Sequence, residues 1–264
     1  MKIICLLKFV PDVNQFLYDY ENNTLVRENV ELVLNPDDKC ALGLALKIKK
    51  SKPDTTVEVV TMAPLSIREY LKDIVRIKVD RAVLLSDTVY QGSDTYATSL
   101  ILGKYLESAS YDLILTGMHS LDGDTAHVPA QLAELLQIEH MSYVTAVSEE
   151  SLNTQELLVT AEYEQQILEL LLPLPVIVSI SKESKYKLPF VRYEDLDLYV
   201  DEQITVLSNA DLQLPCEKIG IAGSLTKVRK TYQPEFKKKE NIVVQNDEAG
   251  IETVYQFLLE KGFL

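Results

Sequence analysis

The chain has 264 residues, of which 47% are hydrophobic and 25% are charged, a composition typical of a folded globular protein rather than a disordered chain. It carries 26 lysine and arginine residues against 40 aspartate and glutamate residues, for a formal net charge of -14, which argues against binding to nucleic acid or to an anionic membrane surface. The three cysteines, Cys5, Cys40 and Cys216, have no short spacing and predict neither a disulfide framework nor a zinc site, so we expect a cytoplasmic location.

No segment predicts insertion into a membrane. The first apolar run stops at Pro11-Asp12 without a small-residue cleavage site and therefore predicts a buried strand rather than a signal peptide. The longest later apolar stretch, residues 168–180, is interrupted by a glutamate and two prolines and falls short of the roughly 20 residues that cross a bilayer.

Short apolar runs alternate with helical segments through the first half of the chain. Four runs have the length of a strand: Ile3–Leu7, Val57–Met62, Ala82–Leu85 and Leu113–Leu115. Two of the intervening helices show one apolar face, formed by Ala41, Leu44, Ala45 and Ile48 in the first and by Val128, Leu132, Leu135 and Leu136 in the fourth. Apolar strands joined by helices predict an α/β fold with a doubly wound, mainly parallel sheet.

The pattern changes after about residue 140. Tyr143–Val147, Leu157–Tyr163 and Ile167–Leu172 have the composition of strands separated by polar turns and predict antiparallel additions to the sheet. Val176–Ile180 predicts another core strand.

The last third of the chain lacks a regular apolar period until a helix predicted at Glu248–Glu260. We therefore predict an α/β domain over residues 1–190 and a C-terminal arm over residues 191–264. An arm with little core of its own either packs on a partner, which we favour, or is partly mobile.

Ligands of an open parallel sheet bind at the carboxyl ends of its strands. Residues 86–99 follow the third predicted strand and are rich in hydroxyl and small side chains. Thr95, Thr98 and Ser99 can donate hydrogen bonds to the phosphates or ribose of a nucleotide, or they simply cap and line a helix.

Residues 117–129 follow the fourth strand and lead into a helix. Asp124 or Thr125 can cap this helix, Gly123 allows a close approach to the backbone, and free N–H groups at the helix start can bind a pyrophosphate. Alternatively, Asp122 and Asp124 are only turn and cap residues, since two carboxylates repel phosphate unless they face away.

Three other features have local explanations. Residues 35–38 alone predict a turn and an N-cap, and His119 and His127 lack a third metal ligand at suitable spacing. The basic residues between Lys227 and Lys239 form a solvated surface or face an acidic partner. The chain has no GxGxxG, GxxxxGK[ST] or GxSxG motif.

Together these loops resemble the electron transfer flavoprotein beta subunit family over nearly the whole chain. Val10-Pro11-Asp12 is similar to the family's opening loop, Asn35-Pro36-Asp37-Asp38 to its N-P-x-D helix start, and Asp80-Arg81-Ala82 to its A-D-R-A segment. The strongest likeness is residues 117–129 with Ala133, which resemble the adenine-nucleotide motif G-x-x-x-x-D-x-D.

The resemblance implies a set of cofactor-binding residues and no catalytic or metal-binding ones. Those carried over from the adenine-nucleotide site are Leu6, Asn35, Asp38, Met62, Ala63, Gly117, Asp122, Gly123, Asp124, Thr125, Ala126, His127 and Val128. Those that resemble the loop bordering FAD and NAD in the electron-bifurcating branch are Asp87, Gly92, Asp94, Thr95 and Thr98.

The resemblance also implies a function. We expect FAD in this chain, with AMP as the alternative, NADH as the electron donor, and an alpha subunit that holds a second FAD. Bifurcation would send one electron to ferredoxin and one to an FAD-dependent dehydrogenase of the lactate or acyl-CoA type, gated by domain rotation.

Two alternatives stay open. The first is a non-bifurcating beta subunit with structural AMP. The second is an ATP-hydrolysing or ATP-sensing protein of the same architecture, although the chain lacks the S-G-G-x-D-S phosphate loop. The chain departs from the family pattern at three places: it has His127 where glutamine is usual, it lacks a D-G-G turn within residues 161–166, and it matches poorly over residues 182–190. These departures bear on which dehydrogenase docks more than on whether a nucleotide binds.

Overall fold

The computed structural model describes residues 1–12, 17–19, 24–26, 31–149, 152, 155–164, 166–226 and 243–263. The chain divides into two compact units, residues 1–227 and 228–264. In chain order the helices and strands are β1 (Lys2–Leu6), β2 (Phe9–Pro11), β3 (Leu17–Asp19), β4 (Thr24–Val26), β5 (Leu32–Leu34), α1 (Pro36–Ser51), β6 (Thr56–Met62), α2 (Arg68–Arg76), β7 (Arg81–Leu85), α3 (Thr95–Ser108), β8 (Leu113–Gly117), α4 (Val128–Leu136), β9 (Glu139–Val147), β10 (Glu156–Tyr163), β11 (Gln166–Pro173), β12 (Val176–Ile180), β13 (Ile204–Leu207), α5 (Asn209–Leu212), α6 (Gly220–Gly223) and α7 (Glu248–Glu260).

The first unit is built on a mixed sheet whose described strands run in the order β11-β10-β9-β12-β8-β1-β6-β7-β13. The strands from β9 through β12, β8, β1, β6 and β7 to β13 pair in parallel. β8 and β12 are buried throughout, because helices cover both faces of the sheet. The predicted α/β class and the four predicted central strands are confirmed.

Side chains that alternate along β1 separate the two layers of the core. Ile3 and Cys5 face a cluster that includes α1 and α2, whereas Ile4 and Leu6 face a cluster that includes α3 and α4. The chain therefore winds to both sides of β1, with β6 on one side and β8 on the other.

The predicted antiparallel additions are also present. β10 pairs antiparallel with both β9 and β11, while β9 joins β12 in parallel. The strand-like segments separated by polar turns after about residue 140 thus correctly predicted where antiparallel pairing begins.

Four features differ from the sequence-based expectations. Phe9–Pro11 forms β2, paired with β5, where the sequence suggested only a loop, and Leu135 of α4 is 42% exposed rather than buried. β13 pairs with β7 inside the region predicted to be an arm. The boundary between compact units lies after residue 227, not after residue 190, because Ile204 and Leu212 belong to the core of the first unit.

The predicted C-terminal helix is confirmed as α7, capped by Asp247, whose side chain accepts from the Gly250 N–H. The basic segment that begins at Lys227 lies outside the described residues. None of the described helices combines the length and hydropathy needed to cross a membrane.

A buried carboxylate ties α3 to the sheet. Glu58 of β6 is 3% exposed and accepts a hydrogen bond from the Tyr105 hydroxyl at 2.6 Å. The Lys2 Nζ and Arg81 Nη1 atoms lie 3.4 and 3.7 Å from Glu58 Oε2. Burial of such a group is tolerated because hydrogen bonds and cations replace its hydration.

Replacing Tyr105 with phenylalanine is expected to lower the free energy of unfolding by about 1–3 kcal/mol, because the buried Glu58 carboxylate loses its closest donor. Urea unfolding of the variant and the wild type measures the change. Tyr111→Phe is the matched control, since burial alone raises the pKa of Tyr111 and no hydrogen-bonded carboxylate depends on it. Equal losses in both variants would contradict this account.

Candidate functional site

A cavity of about 510 Å³ lies at the carboxyl end of the central strands. Its wall includes Leu6 at the end of β1, Met62 at the end of β6 and Gly117 at the end of β8. Because the chain reverses its direction of winding between β1 and β8, this is the switch point at which doubly wound sheets bind ligands. The volume is in the range of small-molecule and cofactor sites.

The segment Asn35–Asp38 forms one side of the cavity. Asn35 occupies the N-cap position of α1 but makes no capping bond, which corrects the reading of this segment as a simple N-cap. Its side-chain Nδ2 instead donates to the carbonyl of His119 at 2.8 Å, and its Oδ1 accepts from the Leu121 N–H at 3.2 Å. Asn35 therefore holds the loop after β8 against the start of α1.

Asp38 is 6% exposed and accepts two backbone hydrogen bonds. One oxygen accepts from the Lys8 N–H at 2.7 Å and the other from the Gly117 N–H at 3.0 Å. The carboxylate thus joins the ends of the adjacent strands β1 and β8, and it sits where the dipole of α1 favours negative charge.

Asp37 makes a second set of links and is 2% exposed. Its two oxygens accept from the Lys182 N–H at 3.2 Å and the His119 N–H at 3.3 Å. His119 Nδ1 also lies 3.4 Å from Asp37 Oδ2. The first turn of α1 therefore fixes the loops that follow three neighbouring strands, β1, β8 and β12.

Burial raises the pKa of the Asp38 carboxyl to about 7, with the nearby Asp37 adding to the shift and the hydrogen bonds from Lys8 and Gly117 opposing it. The effect of desolvation on the pKa outweighs that of the hydrogen bonds, because Asp38 is almost fully buried where it lines the cavity. A proton on this carboxyl would compete with the two backbone amides for its oxygens, so the charge of Asp38 and the geometry of the loops are coupled.

The loop before α4 offers backbone donors to the cavity. Asp124 and Ala126 have positive φ angles of 49° and 53°, and His127 at the N-cap position is right-handed with no capping side chain. Neither Asp124 nor Thr125 caps the helix, contrary to one of the readings of the sequence. Within the described residues, the N–H groups of Thr125, Ala126 and His127 have no acceptor. Left- and right-handed residues in alternation at a helix start form an anion-binding concavity.

The start of α3 forms the opposite wall. Asp94 caps α3 by accepting from the Ala97 N–H at 3.0 Å, and its other oxygen accepts from the N–H and hydroxyl of Thr226 at 2.8 and 2.9 Å. Thr95 and Thr98 line the cavity as the sequence suggested. Thr226 thus completes the wall from a part of the chain that carried no sequence signal.

The carboxylates around the cavity are stabilised by hydrogen bonds or an ion pair with partners of their own. Asp37, Asp38 and Asp94 accept backbone hydrogen bonds, and Asp122 Oδ1 lies 2.6 Å from Lys8 Nζ. Burial would raise the pKa of the Asp122 carboxyl, but the hydrogen bonds from Lys8 and Ser120 outweigh burial and hold that pKa below its usual value. The site can therefore accept an anion despite its acidic residues.

Most of the predicted site residues converge on this cavity. Those in its wall are Leu6, Asn35, Asp38, Met62, Asp94, Thr95, Thr98, Gly117, Gly123, Thr125, Ala126, His127 and Val128. The apolar members flank the strand ends, while the polar ones surround the starts of α3 and α4. An adenine nucleotide fits this division, with apolar walls for the base and free amides for the phosphates.

The structure places five predicted residues outside the wall. Ala63 follows Met62 and packs against the cluster on the opposite face of the sheet, because successive residues of a strand point to opposite faces. Asp122 lies at the rim with Lys8, and Asp124 has a side chain that is 78% exposed.

The other two hold the chain that follows β13. Asp87 accepts from the N–H groups of Val89 at 3.1 Å and Asn209 at 2.9 Å. Gly92 has a φ of 73°, and a Cβ there would lie 2.3 Å from Ile221 Cγ1. Both positions are needed for close packing of residues 209–221 against the loop after β7.

Several wall residues are not among the cofactor-binding residues that the resemblance implies. Lys8, Ser93, Thr116, Met118, His119, Ser120 and Thr226 all contribute to the cavity. The first six follow or end predicted strands, and that position is a signal that the sequence offered. Thr226 had none, because only the tertiary fold brings it to Asp94.

The geometry defines a doubly wound α/β protein with a cavity at the switch point of its sheet, and comparisons with known proteins identify its family. Residues 22–187 match the model of the electron transfer flavoprotein domain. The chain is 33% identical to the electron transfer flavoprotein subunit beta of Thermoanaerobacterium thermosaccharolyticum over 98% of both chains. It is 35% identical to the caffeyl-CoA reductase-Etf complex subunit CarD of Acetobacterium woodii over 90% of this chain and 89% of that protein. It is also 31% identical to the electron transfer flavoprotein subunit beta of Clostridium acetobutylicum over the full length of both. The chain therefore belongs to the electron transfer flavoprotein beta subunit family.

Gly117→Ala is expected to destabilise the protein by about 1–3 kcal/mol and to disrupt the cavity, because a Cβ at this position would lie 2.1 Å from Asp38 Oδ1. Urea unfolding measures the effect. Gly103→Ala in α3 is the control, since its Cβ meets Leu135 Cδ1 at an ordinary 3.4 Å; a Gly117→Ala variant as stable as the control would refute the tight contact.

Asp38→Asn is expected to change how stability depends on pH. Between its ordinary pKa of 3.8 and its folded pKa of about 7, the Asp38 carboxyl is protonated in the folded chain and ionised in the unfolded one. The folded state binds more protons across this range, so the contribution of Asp38 to stability is lost as the pH rises. The free energy of unfolding of the wild type, minus that of the variant, should fall between about pH 4 and 7. A difference that rises would contradict the shift.

Proposed function

We propose that the chain binds FAD in the cavity between β1 and β8 and works as the beta subunit of a flavin-based electron-bifurcating complex. The observation that carries the proposal is the set of free backbone N–H groups at Thr125–His127, which face a cavity with apolar walls at Leu6 and Met62. A dinucleotide needs both parts: amides for the pyrophosphate and apolar contacts for the ring systems.

In this proposal each wall has a separate task. The amides before α4 bind the pyrophosphate, and Thr95 and Thr98 donate hydrogen bonds to phosphate or ribose oxygens. Asn35 and Asp38 do not touch the reacting atoms but hold the two loops at a fixed separation. When bound, FAD would supply the hydride-acceptor and single-electron-donor chemistry that the side chains of this chain lack. No side chain of this chain is assigned a catalytic role.

The proposed partners follow from the family. An alpha subunit would hold a second FAD, and a dehydrogenase of the acyl-CoA or lactate type and ferredoxin would receive the electrons. The name of the Acetobacterium relative, a subunit of a caffeyl-CoA reductase complex, supports a partner that acts on a CoA ester. We also propose that α7 packs on the partner and that domain rotation gates electron transfer. A cytoplasmic location is proposed as well, and the free cysteines Cys5, Cys40 and Cys216 favour it.

A second candidate keeps the family but places AMP in the cavity, where it supports the fold without transferring electrons. The single phosphate of AMP would also satisfy the free amides, so the preference for FAD over AMP rests on the resemblance of residues 87–98 to the loop that borders FAD and NAD in the bifurcating branch. An ATP-hydrolysing protein is a weaker candidate, because the chain lacks the S-G-G-x-D-S phosphate loop.

Extraction of the nucleotides from the native complex tests the proposal. Two FAD molecules per alpha-beta pair are expected, whereas one FAD with one AMP would favour the second candidate. A complex with neither nucleotide in the beta subunit, or ATP turnover without a flavin spectrum, would overturn both.

Thr125→Trp is expected to reduce the nucleotide content of the complex at least about tenfold, because the indole would fill the cavity beside the phosphate-binding amides. Nucleotide per protein after purification is the measurement. Thr56→Trp is the control, because Thr56 is exposed at the amino end of β6, and the cavity lies at the carboxyl ends of the strands. Full occupancy in Thr125→Trp would exclude this part of the cavity as the site.

A further inference from the structure

Lys8 is the one lysine or arginine side chain that lines the cavity within the described residues. Its backbone is fixed, because its N–H donates to Asp38 Oδ2 at 2.7 Å and its carbonyl accepts from the Asn35 N–H at 2.9 Å. Its side chain is 48% exposed and extends to the rim. There Nζ lies 2.6 Å from Asp122 Oδ1 and 3.2 Å from Ser120 Oγ.

We propose that Lys8 is a phosphate-binding residue that Asp122 holds at the rim until an adenine nucleotide enters, when Nζ exchanges the Asp122 carboxylate for a phosphate oxygen. This inference rests on the proposed function and assigns one residue to it. The chemistry it recognises is the phosphate or diphosphate group, whichever adenine nucleotide carries it.

The position of the ion pair supports the exchange. Ser120 and Gly123 also line the cavity, and the Cβ position of Gly123 lies 3.5 Å from Ser120 Oγ. The Lys8 ammonium group therefore sits beside the same loop that presents the free amides of Thr125–His127. The side chain of lysine has a flexible four-carbon stem, so Nζ can move from Asp122 toward the free amides of this loop while the backbone of Lys8 stays in place.

The energetics also favour exchange over a permanent pair. An ion pair between half-exposed side chains contributes little to stability, because water solvates both groups when they separate. Asp122 is 38% exposed, so its carboxylate stays hydrated after Lys8 leaves. A phosphate group carries more charge and more acceptor oxygens than one carboxylate and competes well for an ammonium group.

The charges around the cavity explain why a phosphate group would need Lys8. Asp37 and Asp94 are held close to the cavity by backbone donors, and these neutral partners do not cancel their charge. A phosphate that enters therefore meets a negative potential unless a cation accompanies it. Lys8 supplies that cation, while Asp122 keeps it near the site and away from competing anions.

The test measures binding of adenosine, AMP and ADP to the nucleotide-free full chain by titration calorimetry. Lys8→Met should weaken ADP binding about tenfold, the loss of one charge-assisted hydrogen bond, and should leave adenosine binding within about twofold. Asp122→Asn should strengthen ADP binding about threefold, because the ammonium group is released and a repelling charge is removed. Lys8→Arg should keep ADP affinity close to that of the wild type.

Lys104→Met and Glu107→Gln are matched controls, because Lys104 and Glu107 form an exposed ion pair at 3.1 Å on α3; neither should alter binding. The inference is overturned if Lys8→Met leaves ADP affinity unchanged or weakens adenosine as much as ADP. It is also overturned if Asp122→Asn weakens ADP binding or has no effect on it, since the pair would then be a fixed structural link. A wild-type chain that binds none of the three ligands would refute the proposed function instead.

Discussion

The two buried carboxylates at the start of α1 determine how the rest of the site is arranged. Asp37 and Asp38 accept hydrogen bonds from the backbone of Lys8, Gly117, His119 and Lys182. The bonds from Lys8, Gly117 and Lys182 join the ends of β1, β8 and β12 to the first turn of α1. The bond from His119 joins a second point of the loop after β8 to the same turn. A buried carboxylate is costly unless it is fully satisfied, so the position of these loops and the burial of the carboxylates depend on each other.

This arrangement is compatible with the phosphate binding proposed for an acidic protein. The carboxylates near the cavity are stabilised by amides, a helix start and one lysine, and each of the three aspartates at 37, 38 and 94 has a hydrogen-bond donor. The amides before α4 then provide the positive potential that the side chains do not. Phosphate recognition by backbone groups needs a loop of fixed shape more than it needs a particular sequence of basic residues.

The membership of the chain in the electron transfer flavoprotein family agrees with this physical reading, and each depends on different observations. The family match covers residues 22–187, whereas Leu6, Lys8 and Thr226 of the cavity wall lie outside it. The cavity wall therefore extends beyond the part of the chain that matches the domain model. Residues 191–226 add β13 to the sheet of the first unit and Thr226 to the cavity wall, so they are more than a connection to the C-terminal helix.

The sequence alone determined the α/β class, the central strands and the helix α7, because burial on both faces leaves continuous apolar runs and one-sided burial leaves a helical period. It also placed the site at the strand ends. It could not determine that Asn35 bonds across to His119 rather than capping α1, or that Asp87 and Gly92 pack against residues 209–221. Those contacts join residues far apart in the chain, and local patterns carry no information about which distant group a polar side chain will meet. The tertiary structure alone decided them, because the energy of a buried polar group is set by its partner in space.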